Sequence, residues 1–455
     1  MAKIKKVNEP ANLLNPRTKE YEFLGPIGAF LMITFLPILM YILHLGCTVD
    51  GCPSPKYISK LINLEFFSND DNNDHENFYS LSDFFDFKIF IIYNLYLVYL
   101  VLLWYILPGN WIEGVRLRNN KVLKYKENGF KTLIVTFTLL LISSYFWGYE
   151  FLLIISDKYI QFMTSSIIVS FMLSVFVYIN SFRNDKDSVL LSLGGNSGNI
   201  IYDFMIGREL NPRIQDFDIK CFVELRPGLI CWLLVNISMA LKQYDELGTL
   251  TFGMLFILIF QGWYCVDSLY NEANVLTTMD ITTDGFGWML AFGNLSWLSF
   301  LYPLQSRYIS LHPKDLSIFE IVLVMTLQLI GYSIFRGANN EKDLFRKNPD
   351  DEYVKSGSKL IISGWWGISR HINYLGDWLM AWAWCLTCGY DDIFPYFYVV
   401  YFGVLLIHRE LRDEEKCRKK YKKDWDKYCE IVRWRIIPVS ISFLSIKNIT
   451  TLTDW

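Results

Sequence analysis

The sequence predicts an all-α, polytopic membrane protein with about ten transmembrane helices. Hydrophobic residues make up 52% of its 455 residues and charged residues only 20%, whereas soluble globular proteins carry about 25% charged residues. Apolar segments, most of them near the ~20 residues that cross a bilayer, recur along the chain. They occupy residues 25–46, 88–108, 132–156, 160–182, 229–242, 248–270, 287–305, 316–336, 372–389 and 393–408.

The charge and the cysteine content disfavour several classes of function. The formal net charge is −3, so nothing global indicates a nucleic-acid partner. The nine cysteines are spread along the chain without a Cys/His cluster, so we expect neither a metal site nor a disulfide scaffold. Cys47 and Cys52 are close enough to pair in an oxidising lumen, but we expect two free thiols. No apolar run follows the N-terminal lysines, so we expect no cleaved signal peptide.

Loop charges predict the orientation, because cytosolic loops carry an excess of Lys and Arg. The N-terminal segment 1–24 holds five basic residues and the loop 109–131 holds six. The loop 47–87 is acidic, with seven Asp or Glu and no Lys or Arg from position 65 to position 86. The tail 409–455 is basic up to Arg435, with eleven Lys or Arg against seven Asp or Glu. We therefore expect a cytosolic N-terminus and tail, and a lumenal 47–87 loop.

Two polar segments interrupt the middle of the membrane pattern. Residues 194–232 carry many charges but match neither nucleotide-binding glycine pattern, so ion pairs that brace helix ends are the simpler explanation. Residues 261–297 place five polar side chains in an apolar stretch, where each carboxylate costs roughly 2.5–3.5 kcal/mol. They are functional candidates, although a short loop at the membrane interface also explains some of them: Tyr264, Asp267, Glu272, Asp280 and Asp284.

Two more polar segments lie in the last quarter of the chain. In the segment 336–374, Lys342 and Arg346 are four residues apart and share a face of a helix, so they suit a phosphate group; a basic cytosolic loop explains them equally. An aromatic and polar group follows, comprising Trp365, Trp366, Arg370, His371, Asn373 and Tyr374. The segment 408–438 alternates charged and aromatic residues, which suits either a dinucleotide or an amphipathic helix on anionic lipid.

Long motifs in these segments resemble those of the sterol reductase family, which includes the delta-14, delta-7 and C-24(28) enzymes. The motifs are LGGNSGN, GRELNPRI, FVELRPGL, SGWWGISRHINYLGD, HRELRDEEKCRKKY and DWDKY. The chain is most similar to the delta-14 members. The resemblance implies a ten-span fold in the endoplasmic reticulum membrane, with the membrane domain at 25–408 enclosing a sterol pocket. It also implies NADPH bound by the C-terminal half 336–438, a sterol substrate taken from the bilayer, and membrane lipid as a further partner.

The resemblance transfers cofactor contacts to matching positions of this sequence. These positions are Lys342, Arg346, Ile361, Trp366, Asn373, Tyr374, Arg409, Asp413, Cys417, Arg418, Lys419, Lys420, Tyr421 and Tyr428. This sequence departs from the family pattern at Lys422, where many members have Gly; we expect the change to affect a turn and not the chemistry.

The implied reaction requires an acid in an apolar pocket. An isolated C14=C15 alkene is not electron-poor, so hydride cannot attack it before it is protonated. Protonation at C15 leaves a tertiary cation at C14, which hydride then quenches. Tyr264 with a neighbouring carboxylate such as Glu272 is the first candidate for the acid, and Asp413 with Tyr428 is the second; the sequence leaves the choice open.

Three alternatives remain at the level of sequence. A delta-7 or C-24(28) reductase would act on another double bond of a sterol. A membrane prenyl-cysteine methyltransferase would use S-adenosylmethionine, but the GRELNPRI segment argues against it. A catalytically silent sterol-binding protein is disfavoured by the retained cofactor positions, among them Lys342, Arg346 and Asp413.

The first testable prediction concerns topology. Tags at the N-terminus and in the tail 409–455 should be digested in intact microsomes, whereas a tag in the loop 47–87 should be protected, because the basic segments stay in the cytosol. Protease protection with and without detergent measures this. A protected C-terminal tag would contradict both an even number of spans and cofactor binding from the cytosol.

Overall fold

The computed structural model describes residues 14–54, 80–183, 189–347 and 360–438. The side chains of Arg346 and Lys347 lie outside this description, as do most of the predicted lumenal loop and the end of the tail, residues 439–455. The chain divides into two compact units, Met1–Pro313 and Lys314–Trp455.

The described residues are mostly helical, and the predicted class is confirmed: the protein is a helical, polytopic membrane protein. Within the described residues, seven helical segments are long and apolar enough to cross a membrane, so the predicted count of about ten remains a prediction. These are Gly25–Leu45, Leu81–Ile106, Gly129–Trp147, Tyr159–Asn180, Ile219–Leu247, Phe252–Tyr270 and Ile318–Phe345.

The first unit contains thirteen of the described α-helices and two short hairpins. Its elements are α1 (Gly25–Leu45), α2 (Leu81–Phe84), α3 (Phe87–Ile106), β1 (Asn110–Glu113), β2 (Lys124–Glu127), α4 (Gly129–Trp147), α5 (Glu150–Asp157), α6 (Tyr159–Asn180), α7 (Ile200–Ile206), β3 (Arg213–Ile214), β4 (Phe217–Asp218), α8 (Ile219–Leu247), α9 (Phe252–Tyr270), a 3-10 turn (Glu272–Thr277), α10 (Met279–Thr282), α11 (Trp288–Phe292), a π turn (Gly293–Trp297), α12 (Leu298–Leu301) and α13 (Leu304–Leu311). Both hairpins are antiparallel: β1 pairs with β2 and β3 pairs with β4.

The second unit contains five of the described α-helices. They are α14 (Ile318–Lys347), α15 (Gly364–Ile368), α16 (Ile372–Leu386), α17 (Phe397–Tyr421) and α18 (Lys423–Ile431), with a 3-10 turn (Phe394–Tyr396) before α17.

Two predicted spans differ from the helices. The single span predicted at 132–156 is wrong: Gly148, with a φ of 79°, ends α4, and α5 begins at Glu150. The span predicted at 229–242 is only the middle of α8, a helix of 29 residues. Asp218 caps the start of α8 by accepting a hydrogen bond from the Cys221 N–H. Most of α8 is buried inside the protein, so protein groups satisfy its polar residues.

A buried ion pair ties together helix ends at one side of the first unit. Arg226 of α8 donates to the Glu272 carboxylate at 3.0 Å and to the Asn128 side-chain oxygen at 3.0 Å. The Gly129 N–H, at the start of α4, donates to the other Glu272 oxygen at 2.9 Å. The Arg226 and Glu272 side chains are only 1% and 5% exposed. Burial raises the pKa of Glu272, whereas Arg226 acts in the opposite direction.

Lys220, six residues before Arg226 on α8, is also fully buried. Its ammonium donates to the backbone carbonyls of Asp280, Ile281 and Asp284 at 2.6, 2.9 and 2.9 Å. An ammonium has three donors and no acceptor, so these three carbonyls satisfy it completely. Asp280 and Asp284 thus contribute backbone oxygens to a structural contact.

Other helix ends meet at the opposite side of the first unit. Arg307 of α13 donates to two carbonyls, that of His44 in the last turn of α1 and that of Cys47 just after this helix. Gln243, near the end of α8, donates to the Ile309 carbonyl at 3.0 Å. The two ends of α8 thus make contacts at opposite sides of the unit: Gln243 near its end contacts α13, and Arg226 near its start belongs to the buried ion pair.

The expectation of free thiols at Cys47 and Cys52 is wrong, because the structure joins them in a disulfide. The chain reverses after α1, and paired backbone hydrogen bonds between Thr48 and Gly51 bring the two Cα atoms to 4.3 Å. His312 Nε2 lies 3.3 Å from the Cys52 sulfur, so the three side chains could hold a metal ion only after the disulfide is reduced. The chain also contains one C-x-x-C pair, Cys385 and Cys388, which are buried free thiols.

Close approach of two glycines organises the second unit. A Cβ atom added to Gly331 of α14 would lie 2.7 Å from the Gly376 carbonyl oxygen, and one added to Gly376 of α16 would lie 2.6 Å from the Gly331 oxygen. The two backbones therefore pack directly against each other, as small residues permit in membrane helices. This contact brings the C-terminal half of α14 beside the start of α16.

We predict that the buried ion pair in the first unit has a structural role. Glu272→Ala should lower the free energy of unfolding by about 3–5 kcal/mol, because it leaves the Arg226 charge buried and unpaired. The double change Arg226→Met with Glu272→Met should recover part of the loss. Thermal unfolding of purified protein in detergent measures both effects.

The matched control for this prediction is Lys242→Ala, which removes an ion pair with Asp157 that is partly exposed; such pairs contribute at most about 1 kcal/mol. If Glu272→Ala were normally stable but inactive, the catalytic role considered for Glu272 as a neighbour of Tyr264 would be supported instead.

Candidate cofactor site

The C-terminal half of α14 and the short helix α15 form the first wall of the site. The Lys342 ammonium lies 4.5 Å from the centre of the Trp366 ring, a cation–π distance. The Trp366 indole N–H donates to the Ala338 carbonyl at 2.8 Å, and the Trp365 backbone N–H donates to Glu341 at 2.8 Å. Ile361 packs against the same apolar cluster. The tryptophan ring and the ammonium are therefore held in place by contacts with α14.

His371, at the start of α16, forms the centre of the site. Its imidazole stacks on Tyr374 with 5.1 Å between ring centres, and its Nε2 lies 3.9 Å from the Asp413 carboxylate of α17. Burial and then the nearby charges of Lys342, Arg370 and Arg435 lower the pKa of His371 to about 3. The imidazole is therefore neutral at physiological pH, and its contact with Asp413 is polar rather than an ion pair.

Asn373 provides the sharpest indication that this site binds a ligand. Its amide nitrogen donates to Asn339 at 3.4 Å, but its buried carbonyl oxygen has no hydrogen-bond partner among the described residues. Buried polar atoms without partners are rare in proteins. An oxygen acceptor beside an ammonium and two aromatic rings fits a nicotinamide dinucleotide, whose carboxamide donates hydrogen bonds and whose phosphates attract cations.

The predicted contacts at 417–421 fall on two faces of α17. Cys417 and Tyr421 pack against the cluster of Trp425, Tyr428 and Val432. The three residues between them are exposed. Arg418 pairs with Glu414 and Asp426, Lys419 pairs with Glu415, and Lys420 lies over the Tyr421 ring.

The remaining predicted cofactor residues lie in the same unit. Arg409 and Asp413 are half-buried on α17, Tyr428 is buried on α18, and Arg346 belongs to the last turn of α14. Lys422 joins α17 to α18 with a φ of 51°, a conformation that favours glycine. The sequence departure at this position thus falls on a strained turn.

A group of charges on α17 and after α18 was not predicted from the sequence. Arg435 pairs with Glu410 at 3.3 Å and with Glu414 at 2.8 Å, and burial raises the pKa of Glu410 to about 7. Arg435 also accepts, through its backbone carbonyl, a hydrogen bond from the His371 N–H. The signal was present: two acidic residues four apart on one helix repel unless a cation lies between them.

The other predicted catalytic residues lie in the first unit. Tyr264 is half-buried on α9, with its ring 5.9 Å from that of Trp232. Asp267, one turn later, is buried and accepts a hydrogen bond from Asn271. Glu272 is engaged by Arg226 and Gly129, which favours a structural role for it.

The charged segment 194–232 forms internal contacts, as the simpler explanation predicted. Arg213 pairs with Asp218 at 2.9 Å, and Arg183 pairs with Glu209 at 3.3 Å. The buried Asp203 carboxylate accepts hydrogen bonds from the Ser197 and Gly198 backbone within the LGGNSGN motif.

Comparison with known proteins identifies the family. Residues 17–441 match the ergosterol biosynthesis ERG4/ERG24 family. The chain is 45% identical to the Delta(14)-sterol reductase of Ascobolus immersus, over 92% of this chain and 99% of that one. It is 46% identical to that of Schizosaccharomyces pombe (92% and 97%) and 40% identical to that of Neurospora crassa (94% and 98%). The chain therefore belongs to the ergosterol biosynthesis ERG4/ERG24 family of sterol reductases.

Proposed function

We propose that this protein is an NADPH-dependent Delta(14)-sterol reductase of the endoplasmic reticulum membrane, which saturates the C14=C15 double bond of a sterol intermediate. The relatives of that name support the choice of reaction. The observation that carries the choice of cofactor is the partnerless buried oxygen of Asn373 beside Lys342, Trp366 and His371 in the second unit.

Several side chains of the second unit suit NADPH. The carbonyl oxygen of Asn373 would accept from the carboxamide, and the rings of Trp366 and Tyr374 offer flat surfaces for aromatic groups. The cations Lys342 and Arg346 would bind phosphate oxygens. NADPH, when bound, supplies the hydride.

The chain itself must supply the proton. Transfer of a proton to the alkene needs an O–H donor in a water-poor pocket, and two side chains meet this requirement in part. Tyr264 is half-buried on α9 in the first unit, and its phenol carries an O–H group that can donate. Asp413 is half-buried on α17, next to the neutral imidazole of His371, where it would orient a bound group rather than donate a proton.

The spans also suit a lipid substrate. A sterol is rigid and apolar and enters from the bilayer, so no aqueous path to its binding site is needed. Several membrane helices present large apolar side chains outward, as on α1 and α14, which is consistent with residence in lipid.

The assay that tests the function uses purified protein, a delta-8,14 dienol and either NADPH or NADH, with mass spectrometry of the product. We expect a gain of two hydrogens at C14 and C15 with NADPH. Reduction only of delta-7 or C-24(28) substrates would assign the protein to another activity of the family, and no reduction of any of them would indicate a silent sterol-binding protein.

We predict that Lys342 and Arg346 select NADPH over NADH by binding the 2′-phosphate. Changing either residue to Ala should raise the KM for NADPH by roughly tenfold or more, because a charge-assisted contact contributes about 1.5–3 kcal/mol. The KM for NADH should change much less. Steady-state kinetics with both cofactors measures this.

The matched control is Lys314→Ala, which removes a lysine of the same unit that is exposed and paired with Asp391. Its kinetics should remain normal with both cofactors. If Lys342→Ala raised the KM for NADPH and the KM for NADH equally, the lysine would not bind the 2′-phosphate. It would instead bind the pyrophosphate, or act as one of the basic residues that orient the chain in the membrane.

We predict that Tyr264→Phe and Asp413→Asn each lose most turnover while the protein still folds. Loss of a proton donor should lower kcat by about 10²–10⁴-fold with little change in NADPH binding, which we expect for Tyr264. Loss of a cofactor contact should weaken NADPH binding as well, which we expect for Asp413. Turnover of the dienol and titration with NADPH distinguish the two.

The control for Tyr264 is Tyr270→Phe, since Tyr270 lies on the same helix but is exposed. Near-normal turnover in Tyr264→Phe would remove Tyr264 as the acid and leave Asp413, Tyr428 or Glu272.

A further inference from the structure

A cavity of about 210 Å³ lies in the first unit, at the end that carries the Cys47–Cys52 disulfide. Its wall is built by α1, α2, α5, α6, α8 and α13, and includes His44, Tyr159 and Arg307. This volume is many times the ~15 Å³ that a single water molecule requires. The cavity therefore has room for a molecule larger than one or two waters.

The Arg307 side chain brings a positive charge into this cavity. The residue is only 8% exposed. One terminal nitrogen of its guanidinium donates to the carbonyls of His44 at 3.1 Å and Cys47 at 2.9 Å. The other terminal nitrogen is buried and has no hydrogen-bond partner among the described residues.

The Arg307 charge has no carboxylate counterpart within the described part of the chain. Two carboxylates line the cavity, but both have other partners: Asp157 pairs at 3.1 Å with Lys242, which also lines the cavity, and Asp83 accepts the Ser80 N–H at 2.6 Å. A buried charge without a counter-charge is strongly unfavourable. An anion that enters the cavity would relieve this cost.

His44 adds a second polar group to the same wall. Its ring stacks on Tyr159, with 5.0 Å between ring centres. Its Nδ1 atom is buried and, among the described residues, has no hydrogen-bond partner. An anion with several oxygens would accept hydrogen bonds from the free guanidinium nitrogen of Arg307. It would also contact the Nδ1 atom of His44, either by donating from a hydroxyl of the anion or by accepting when this nitrogen carries the proton.

We propose that this cavity is an anion-binding site that takes a phosphate group, either free phosphate or the headgroup of an anionic phospholipid. The free terminal nitrogen of Arg307 would donate charge-assisted hydrogen bonds to phosphate oxygens, which are stronger than hydrogen bonds between neutral groups. The site is separate from the proposed cofactor residues, which all belong to the second unit, and it does not depend on the proposed reaction.

The test measures thermal unfolding of the wild-type protein in dodecyl maltoside, a detergent without phosphate. Added inorganic phosphate is compared with chloride at equal ionic strength, and short-chain phosphatidic acid with short-chain phosphatidylcholine. A concentration-dependent rise in Tm with phosphate and with phosphatidic acid supports a site for the free anion and the lipid alike. A rise with phosphatidic acid alone, together with retained lipid in native mass spectrometry, supports the lipid headgroup.

Variants assign the effect to the cavity. Arg307→Gln should weaken the response by at least about tenfold, since it removes a charge-assisted contact, and Arg307→Lys should retain part of it. Arg183→Gln is the matched control, because Arg183 belongs to the same unit but pairs with Glu209; its response should equal that of the wild type. If Arg307→Gln does not fold, the wild-type measurements still decide.

No rise in Tm with either phosphate or phosphatidic acid in the wild type would overturn the proposal, and so would an undiminished response in a folded Arg307→Gln protein.

Discussion

The first unit depends on the burial of a charged residue, Arg226, inside a helix that crosses the membrane. Lipid offers no hydrogen bonds, so each charge at this depth must find its partners within the protein. Arg226 finds them in Glu272 and Asn128, which lie at the ends of other helices. Because the partners come from distant parts of the chain, the requirement of one side chain determines how several helix ends meet.

The same requirement explains other contacts of the first unit. Lys220 donates its three hydrogen bonds to the backbone carbonyls of Asp280 and Ile281 in α10 and of Asp284 just after this helix. Gln261 accepts from Trp232 and Asn236 and donates toward Gln305. In each case a polar residue within the membrane region is matched by groups from a neighbouring helix. The buried guanidinium of Arg307 has, among the described residues, neither a carboxylate partner nor an acceptor for one of its two terminal nitrogens, and this motivates the proposed anion site.

The second unit follows a different constraint, which is the close approach of two backbones at Gly331 and Gly376. This contact fixes α14 against α16, so that Lys342 and Trp366 lie near the start of α16. Arg435, near the end of the described residues, completes the group: its carbonyl accepts from the His371 backbone N–H, and its guanidinium pairs with Glu410 and Glu414. The arrangement combines rigid aromatic walls with cations and an available acceptor.

The sequence by itself determined the class of fold, because 20-residue apolar segments have few stable alternatives in a bilayer, and its long motifs indicated the family. The family resemblance pointed to Lys342, Trp366, Asn373 and Tyr374, which all lie on α14 to α16 of the second unit, and their role in cofactor binding remains a prediction. The roles of Glu272 and Arg307 could not be predicted, because they depend on partners more than 40 residues away in sequence. Likewise, only the folded chain shows that Cys47 meets Cys52, and that Cys417 and Tyr421 face inward while Arg418 to Lys420 face outward. The pattern of residues along the chain indicates whether a segment forms a membrane helix. Which helices contact each other depends on the packing that gives buried polar groups their hydrogen-bond partners, and those partners come from distant parts of the sequence.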